Sequence, residues 1–253
     1  MGRFFWTAIG LGVLGWLIAG GASGADLQEG LVAYWPFDEG KGRIAADASG
    51  NGHDGEFVGE PLWVPGYFGT ALEFTTPADY VRVPDHPALD LEEAVTWMAW
   101  FSPSDVLTSR RMMVKNNSIF VIFDFGDPNS VDFLIKPNND FAESTTTEWT
   151  IGEWYHFAGT FDGAFLRVYV NGVLEGETPY AGLIAPSDLE LWIGADDFGR
   201  PTDSFPGKID EVRLYNRALS AEEIAAAMET ALAVEPRGKL ATQWAQLKTA
   251  HQP

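Results

Sequence analysis

Short apolar runs, broken repeatedly by Gly, Pro, Asn and Asp, fill residues 31–216. That punctuation predicts strands and turns rather than helices. LVAYWPF at 31–37 is the first such run, and ALEFT at 71–75 and YVRVP at 80–84 follow. AVTWMAWFSP at 94–103 predicts a central strand whose alternate members include Val95, Trp97, Ala99 and Phe101. SIFVIFDFG (118–126) and VDFLIKP (131–137) flank Asp127-Pro128-Asn129-Ser130, which has the composition of a turn, so the pair predicts a hairpin. Further on, Asp162-Gly163 and Asn171-Gly172 are each bracketed by strand formers. Both dipeptides tolerate positive φ, and together they predict a three-stranded antiparallel meander. DLELWIGAD (188–196) adds a strand with Leu189, Leu191 and Ile193 to one side. Regularly spaced short strands of this kind make an all-β sandwich.

Helix is scarce. FPGKIDEVRLYNRALSAEEI (205–224) runs a strand into a capped helix. Ile209, Val212 and Leu214 are apolar there, while Asp210, Arg213 and Asn216 are polar. Ser220 with Glu223 three residues later forms a capping-box pattern. It opens a helix over 220–232 with an apolar stripe of Ile224, Met228 and Leu232. Residues 233–253 differ in composition: Pro236-Arg237-Gly238 breaks the chain, and KLATQWAQLKT then allows a short amphipathic helix through Leu240, Trp244 and Leu247. This tail is a separate appendage, docked on the sandwich or disordered.

At the other end, Arg3 precedes an apolar, glycine-interrupted run from Phe4 to Ala19, and Ala22-Ser23-Gly24 supplies small residues before Ala25. Residues 1–25 read as a cleaved secretory signal rather than a retained anchor, because a bilayer span needs about 20 consecutive apolar residues. The expected location is secreted or cell envelope, with no membrane span in the mature chain. Cys is absent, which excludes a lipoprotein anchor and leaves the core, with or without a metal, to hold the fold. The formal net charge is −20, and cleavage after residue 25 would remove only Arg3 from the charged residues. Such a balance repels phosphate backbones and anionic membranes, so nucleic acid is excluded as a partner.

Five segments occur in order: GLVAYWPFDEGKG, DASGNGHDG, GTALEF, EWYHFAGTFDGAFLRVYVNG and GKIDEVRLYNRALSAEEI. Together they resemble a laminin-G-like domain of the concanavalin A-like lectin/glucanase superfamily, of the bacterial secreted type, over residues 30–232. The resemblance implies an antiparallel two-sheet jelly-roll sandwich with one short C-terminal helix. It also implies adjacent first and last strands, which would bring residues 37–54 near Asp210, and a structural calcium opposite the acidic residue of the last strand. The loop Asp47-Ala48-Ser49-Gly50-Asn51-Gly52 offers oxygen ligands at alternate positions. Calcium takes about six to eight oxygens, so such a loop is chemically apt. It is not an EF-hand, since Ser49 and Val58 stand where that motif needs other ligands. The expected calcium set is therefore Asp38, Asp47, Asn51 and Asp210, against the plainer reading of an Asx-turn with solvated acids. His53 is a loop residue, and the four His show no zinc-like spacing. Asp196, Asp197 and Asp203 around Gly199-Arg200-Pro201 read as a solvated loop.

Relatives of this fold include glucanases, which need two carboxylates about 5–5.5 Å apart for a retaining mechanism. No E-x-D-x-x-E string occurs; Glu92 and Glu93 are side by side, which strand alternation would split between faces, and Glu190 has no partner at the required spacing. Nor is there a G-x-S-x-G elbow or a glycine-rich phosphate loop. The chain is accordingly expected to be a non-catalytic, monomeric binding module for carbohydrate, with an extracellular protein as the alternative partner. Trp63, Tyr67, Trp149, Tyr180, Phe198 and Arg200 lie in turn-like or strand-edge segments and are the candidate ligand contacts. Trp97, Trp100, Trp154 and Trp192 lie within strands and are expected to pack the core.

Overall fold

A computed structural model of the chain describes residues 26–195 and 203–232. The strands run β1 (Leu31–Trp35), β2 (Ile44–Ala45), β3 (Gly55–Val58), β4 (Leu62–Pro65), β5 (Thr70–Phe74), β6 (Tyr80–Val83), β7 (Val95–Pro103) and β8 (Arg111–Lys115). They continue with β9 (Ile119–Phe123), β10 (Val131–Ile135), β11 (Asp140–Glu143), β12 (Tyr155–Phe161), β13 (Phe165–Val170), β14 (Val173–Pro179), β15 (Leu191–Ile193) and β16 (Gly207–Tyr215). A single α-helix among the described residues, α1 (Ala221–Met228), follows. The first sheet has the order β14-β13-β12-β7-β16-β5-β4, with β1 also paired to β16; the second is β11-β10-β9-β8-β15-β6-β3-β2. Every named pairing is antiparallel. The expected all-β jelly roll with adjacent first and last strands is what forms.

Strand alternation fills the space between the sheets. Val95, Trp97, Ala99 and Phe101 of β7 meet Ile119, Val121 and Phe123 of β9 and Val131, Phe133 and Ile135 of β10 in one buried cluster. The two predicted turns close the β12–β13–β14 meander, where Asn171 (φ 49°) and Gly172 (φ 77°) hold the left-handed backbone such a turn needs. Three of the four strand tryptophans do not pack the core. Trp97 and Trp100 are three residues apart, so a pleated strand must send them to opposite faces. Trp97 points inward, while Trp100 and Trp154 belong to a ring cluster with Tyr67, and half-buried Trp192 stacks on Tyr80 of β6. Glu92 and Glu93 precede β7 as exposed loop residues, and Glu190 lies outside β15 in a surface ion pair with Arg82.

β16 organises the first sheet. Its N-terminal part pairs β5 through Gly207–Ile209, and its C-terminal part pairs β1 through Val212–Tyr215. Between them the register with β7 slips from Asp210 to Arg213, with Glu211 at φ 55°. This is a β-bulge: one extra residue resets the alternation. Ile209, Val212 and Leu214 therefore all face the core, leaving Asp210 and Arg213 both on the outer face. Glu211 at the bulge accepts from Tyr34 Oη (2.8 Å) and from Arg213 Nη2 (2.5 Å), with all three side chains at most 2% exposed. Arg213 also donates to the carbonyls of Ala227 (3.0 Å) and Thr230 (2.6 Å), meeting acceptors at the C-terminal end of α1.

α1 begins as predicted. Ser220 Oγ accepts from Glu223 N (3.2 Å), and Glu223 Oε2 accepts from Ser220 N (2.8 Å). The helix ends at Met228, one turn short of expectation, yet Ile224, Met228 and Leu232 all pack with Met98, Ala158, Tyr169 and Tyr215 on the outer face of the first sheet.

The loop after β2 covers the free edge of β1. Asn51 Nδ2 donates to the carbonyls of Leu31 (3.1 Å) and Val32 (2.9 Å), and Ala48 N donates to Tyr34 O (2.7 Å). Asp47 is 2% exposed and accepts from the amides of Tyr34 (3.1 Å), Ser49, Gly52 and His53 (each 2.9 Å). These contacts occupy backbone groups that an edge strand otherwise offers to other chains. Burial pushes the Asp47 carboxyl up, but the hydrogen bonds from Ser49, His53 and Tyr34 outweigh it and hold it below the ordinary value. Its contribution to stability is thus present above the unfolded-state pKa and lost as pH falls through the lower native one. Asp47→Ala should cost about 3 kcal/mol, the order of leaving buried amides without a charged acceptor. Urea denaturation at neutral pH checks this, and the deficit relative to wild type should shrink in acid.

Candidate functional site: an aromatic platform on the outer face of the first sheet

Register places one row of side chains across three central strands. His156 of β12 lies opposite Trp100 of β7, and Trp100 lies opposite Asp210 of β16. The next row on that face follows from the same alternation, with Ser102 of β7 opposite Lys208 of β16 and Lys208 opposite Glu73 of β5. α1 covers the part of this face around Met98 and Tyr215, and the β4–β5 loop covers the part around Trp100.

That loop is held by two carboxyl groups. Asp210 Oδ2 accepts from the amides of Tyr67 (2.9 Å) and Phe68 (3.1 Å), while its Oδ1 accepts from Glu211 N (2.8 Å). Asp38, just past β1, accepts from Thr70 N (2.9 Å), and Thr70 Oγ1 donates to Phe37 O (2.6 Å). Two glycines make the approach possible. A Cβ on Gly66 would lie 2.6 Å from Asp210 Oδ2, and one on Gly69 (φ 46°) would lie 2.0 Å from Asp38 Oδ1.

The loop presents Tyr67, which is 42% exposed. Its ring stacks on Trp100 with centroids 3.4 Å apart and planes 12° apart, and Trp154 stands edge-on at 6.2 Å. Trp100 in turn meets His156 edge-on at 5.2 Å. Beneath this surface, Trp100 Nε1 and Ser102 Oγ are buried without a hydrogen-bond partner. His156 is buried with its Nδ1 also unpartnered; burial, reinforced by Arg213, lowers its pKa to about 3 and keeps it neutral. The arrangement is an exposed, braced aromatic surface above a buried layer that holds unpartnered polar atoms.

The four residues expected to hold calcium separate into two places. Asp38 and Asp210 clamp the β4–β5 loop, whereas Asp47 and Asn51 seal the edge of β1. Among the described residues, no group of three or more His, Cys, Asp or Glu gathers as a metal site requires. Asp47 and Asp210 point their oxygens at peptide N–H groups, a donor environment unlike a cation's. The residues present do not fit the ion.

Of the expected ligand contacts, Tyr67 is the one on the platform. Trp63 is half-buried, packed on Phe57 with its Nε1 donating to Gly42 O (3.2 Å). Trp149 packs on Phe101, Phe123 and Tyr155 and donates to Asn129 O (2.7 Å). Tyr180 packs on Phe161 and donates to Leu183 O (3.1 Å). Phe198 and Arg200 lie outside the described residues, as do Asp196 and Asp197. The sequence reading missed Trp100, Ser102 and Trp154, although the odd offset of Trp100 and Ser102 from both Trp97 and Phe101 marks them as outward-facing.

The fold and the sequence place this molecule in a class. Residues 74–225 match the laminin-G-like family described as the concanavalin A-like lectin/glucanases superfamily, and the chain belongs to it. Among solved structures it is similar to Domain 4 of AbnA, a GH43 extracellular arabinanase from Geobacillus stearothermophilus, in complex with arabinotriose. The likeness has TM-score 0.63 and 20% identity, and covers 78% of this chain and 98% of that one. It is also similar to the binding domain of Paraclostridial Mosquitocidal Protein 1 (TM-score 0.65, 13% identity, 79% of this chain and 52% of that one). A third similar structure is Trypanosoma rangeli sialidase (TM-score 0.59, 20% identity, 79% of this chain and 32% of that one). At these identities the likeness is one of fold. No curated protein matches the chain.

Burial drives the Asp210 carboxyl up to about 8, opposed by the Phe68 amide, reinforced by Glu211, and opposed again by the amides of Tyr67 and Glu211. The native state therefore keeps a proton that the unfolded chain has released once pH exceeds the ordinary carboxylate range. Stability from this group is full below that range and declines as pH rises toward 8. Wild-type urea midpoints should fall between pH 5 and pH 8, and Asp210→Asn should flatten that decline.

Proposed function

We propose that the protein is an exported, non-catalytic module that binds carbohydrate on the Tyr67 platform. The observation that carries this reading is the exposed Tyr67 ring stacked flat on Trp100 and braced by Trp154. An aromatic face packs against the C–H face of a sugar ring, and Tyr67 offers one such face to solvent. The similar arabinanase domain holds arabinotriose, which supports a sugar as the occupant of this kind of fold.

Catalysis finds little support in the acids present. Glu211 sits between Tyr34 and Arg213 in a pocket sealed from solvent, and Asp210 is 0% exposed with its oxygens on peptide amides. A hydrolytic pair must flank a bound glycosidic bond with room for water. Calcium has no role in this reading, because amides occupy the carboxylates that would hold it. Among the described residues, no helix is long and apolar enough to cross a membrane.

Affinity electrophoresis against a panel of plant and bacterial polysaccharides, followed by calorimetry with oligosaccharides of the one that retards the protein, tests the reading. Tyr67→Ala should weaken binding at least tenfold, or about 1.4 kcal/mol, with an unchanged circular dichroism spectrum. Undiminished binding by that variant would move the site elsewhere. Absence of any sugar binding, with capture of an extracellular protein instead, would favour the protein-binding reading; another structure of similar fold is the binding domain of botulinum neurotoxin DC in complex with rat synaptotagmin II. Adding a chelator should leave the melting midpoint where it was.

A further inference from the structure

The outer face of the second sheet carries its own pair of stacked rings, on the side of the sandwich opposite Tyr67. Alternation along β6 sends Val81 and Val83 into the core and leaves Tyr80 and Arg82 outside. Along β15 it buries Leu191 and Ile193 and leaves Trp192 outside. Tyr80 and Trp192 are half-buried, and their rings stack with centroids 4.2 Å apart and planes 9° apart. Register sets Trp192 directly opposite Arg82, and Arg82 opposite Glu56 of β3. Arg82 Nη2 lies 3.2 Å from Glu56 Oε2, and Arg82 Nε lies 3.8 Å from Glu190 Oε1. This strip is open to solvent: the side chains of Arg82 and Glu190 are 41% exposed and that of Glu56 is 57% exposed. Among the described residues, β6 and β15 pack closely on each other and on their sheet neighbours β3 and β8, and on no other strand or helix.

A solvated sheet face normally carries polar residues, so two rings partly open to water are the exception on this strip. Cross-strand pairing accounts for the contact between the rings but leaves their outward surface without a partner. We propose that Tyr80 and Trp192, with Arg82, Glu56 and Glu190, form a second carbohydrate contact that takes neutral sugar units. The outward surface of the ring pair offers an apolar patch to the C–H face of a sugar. A guanidinium carries more N–H donors than its two carboxylate partners take up, and each carboxylate keeps a second oxygen as acceptor. Sugar hydroxyls both donate and accept, and both kinds of partner stand here beside the rings. The ion pairs also hold Arg82 in place before a ligand arrives, which lowers the ordering cost of binding. Two acids against one base disfavour an anionic sugar or a phosphate. Area disfavours a protein partner, which needs about 800 Å² on each side. A whole aromatic side chain supplies only about 150–250 Å², and these two are half-buried. The contact rests on observations separate from the Tyr67 platform, and with both in place one chain would bridge two polysaccharide strands.

Affinity electrophoresis of the full chain in gels containing arabinan, xylan, mixed-linkage β-glucan or galactomannan tests the assignment, with polygalacturonate as the anionic control. For at least one neutral polymer, Trp192→Ala should weaken binding about fivefold or more, or about 1 kcal/mol, in the wild-type background and in Tyr67→Ala. Arg82→Ala, at an exposed position, should weaken binding of the same polymer, and both variants should keep the wild-type circular dichroism spectrum. In calorimetry, Tyr67→Ala should still take one oligosaccharide of that polymer per chain, and Tyr67→Ala with Trp192→Ala none. Wild-type retardation of both Trp192→Ala and Arg82→Ala across the panel would overturn this contact and leave the Tyr67 reading standing. An effect of these substitutions on polygalacturonate alone would overturn the neutral class of ligand. Failure of every polymer to retard the wild-type chain would overturn both sugar sites together.

Discussion

The bulge in β16 is the constraint from which the rest follows. A regular strand through Ile-Asp-Glu-Val-Arg-Leu could not bury Ile209, Val212 and Leu214 together, because 209 and 212 differ by an odd number. One extra residue at Glu211 solves that, at the expense of a left-handed backbone on a non-glycine residue. The same residue marks where β16 exchanges β5 for β1 as its neighbour. Glu211, thrown out of the ladder, is then neutralised by Arg213 and held by Tyr34. Removing one member of such a buried ionic group leaves an uncompensated charge, so the three side chains form a unit.

Two functions of the outer face stem from that local event. Arg213, on the side toward the C-terminus, meets the last carbonyls of α1 and so fixes the helix over Met98 and Tyr215. Asp210, on the other side, meets the amides of Tyr67 and Phe68 and fixes the β4–β5 loop over Trp100. Both covers are thus anchored within four residues of one strand, Asp210 to Arg213. A platform built this way loses little freedom on binding, since the loop that presents Tyr67 is already ordered by buried hydrogen bonds.

Much of the fold was legible. The Asp-Gly and Asn-Gly turns, the alternating run 94–103 and the capping box each act locally, and each formed as its residues dictate. Short strands were harder: β2 and β4 are apolar but only two and four residues long, β11 is half-polar, and each exists because a neighbour pairs with it. The site was less legible. Asp38, Asp47 and Asp210 were recognised as important acids, yet what surrounds them is peptide N–H, and sequence spacing does not distinguish an amide nest from a cation cage. Trp100 and Trp154 were assigned to the core because they are aromatic residues in strand-like runs. For Trp100, parity relative to Trp97 and Phe101 carries the opposite answer. The broken period in residues 209–214 was likewise a visible sign of the bulge.

The central claim is that the buried carboxyl group of Asp210 on the bulged strand orders an otherwise exposed loop. Amide hydrogen exchange at Tyr67 and Phe68 measures this most directly. The account predicts that both amides exchange as slowly as those of the adjacent strand β7, released only when the sheet itself opens. Exchange of either at the rate of an unstructured peptide, with β7 still protected, would contradict it.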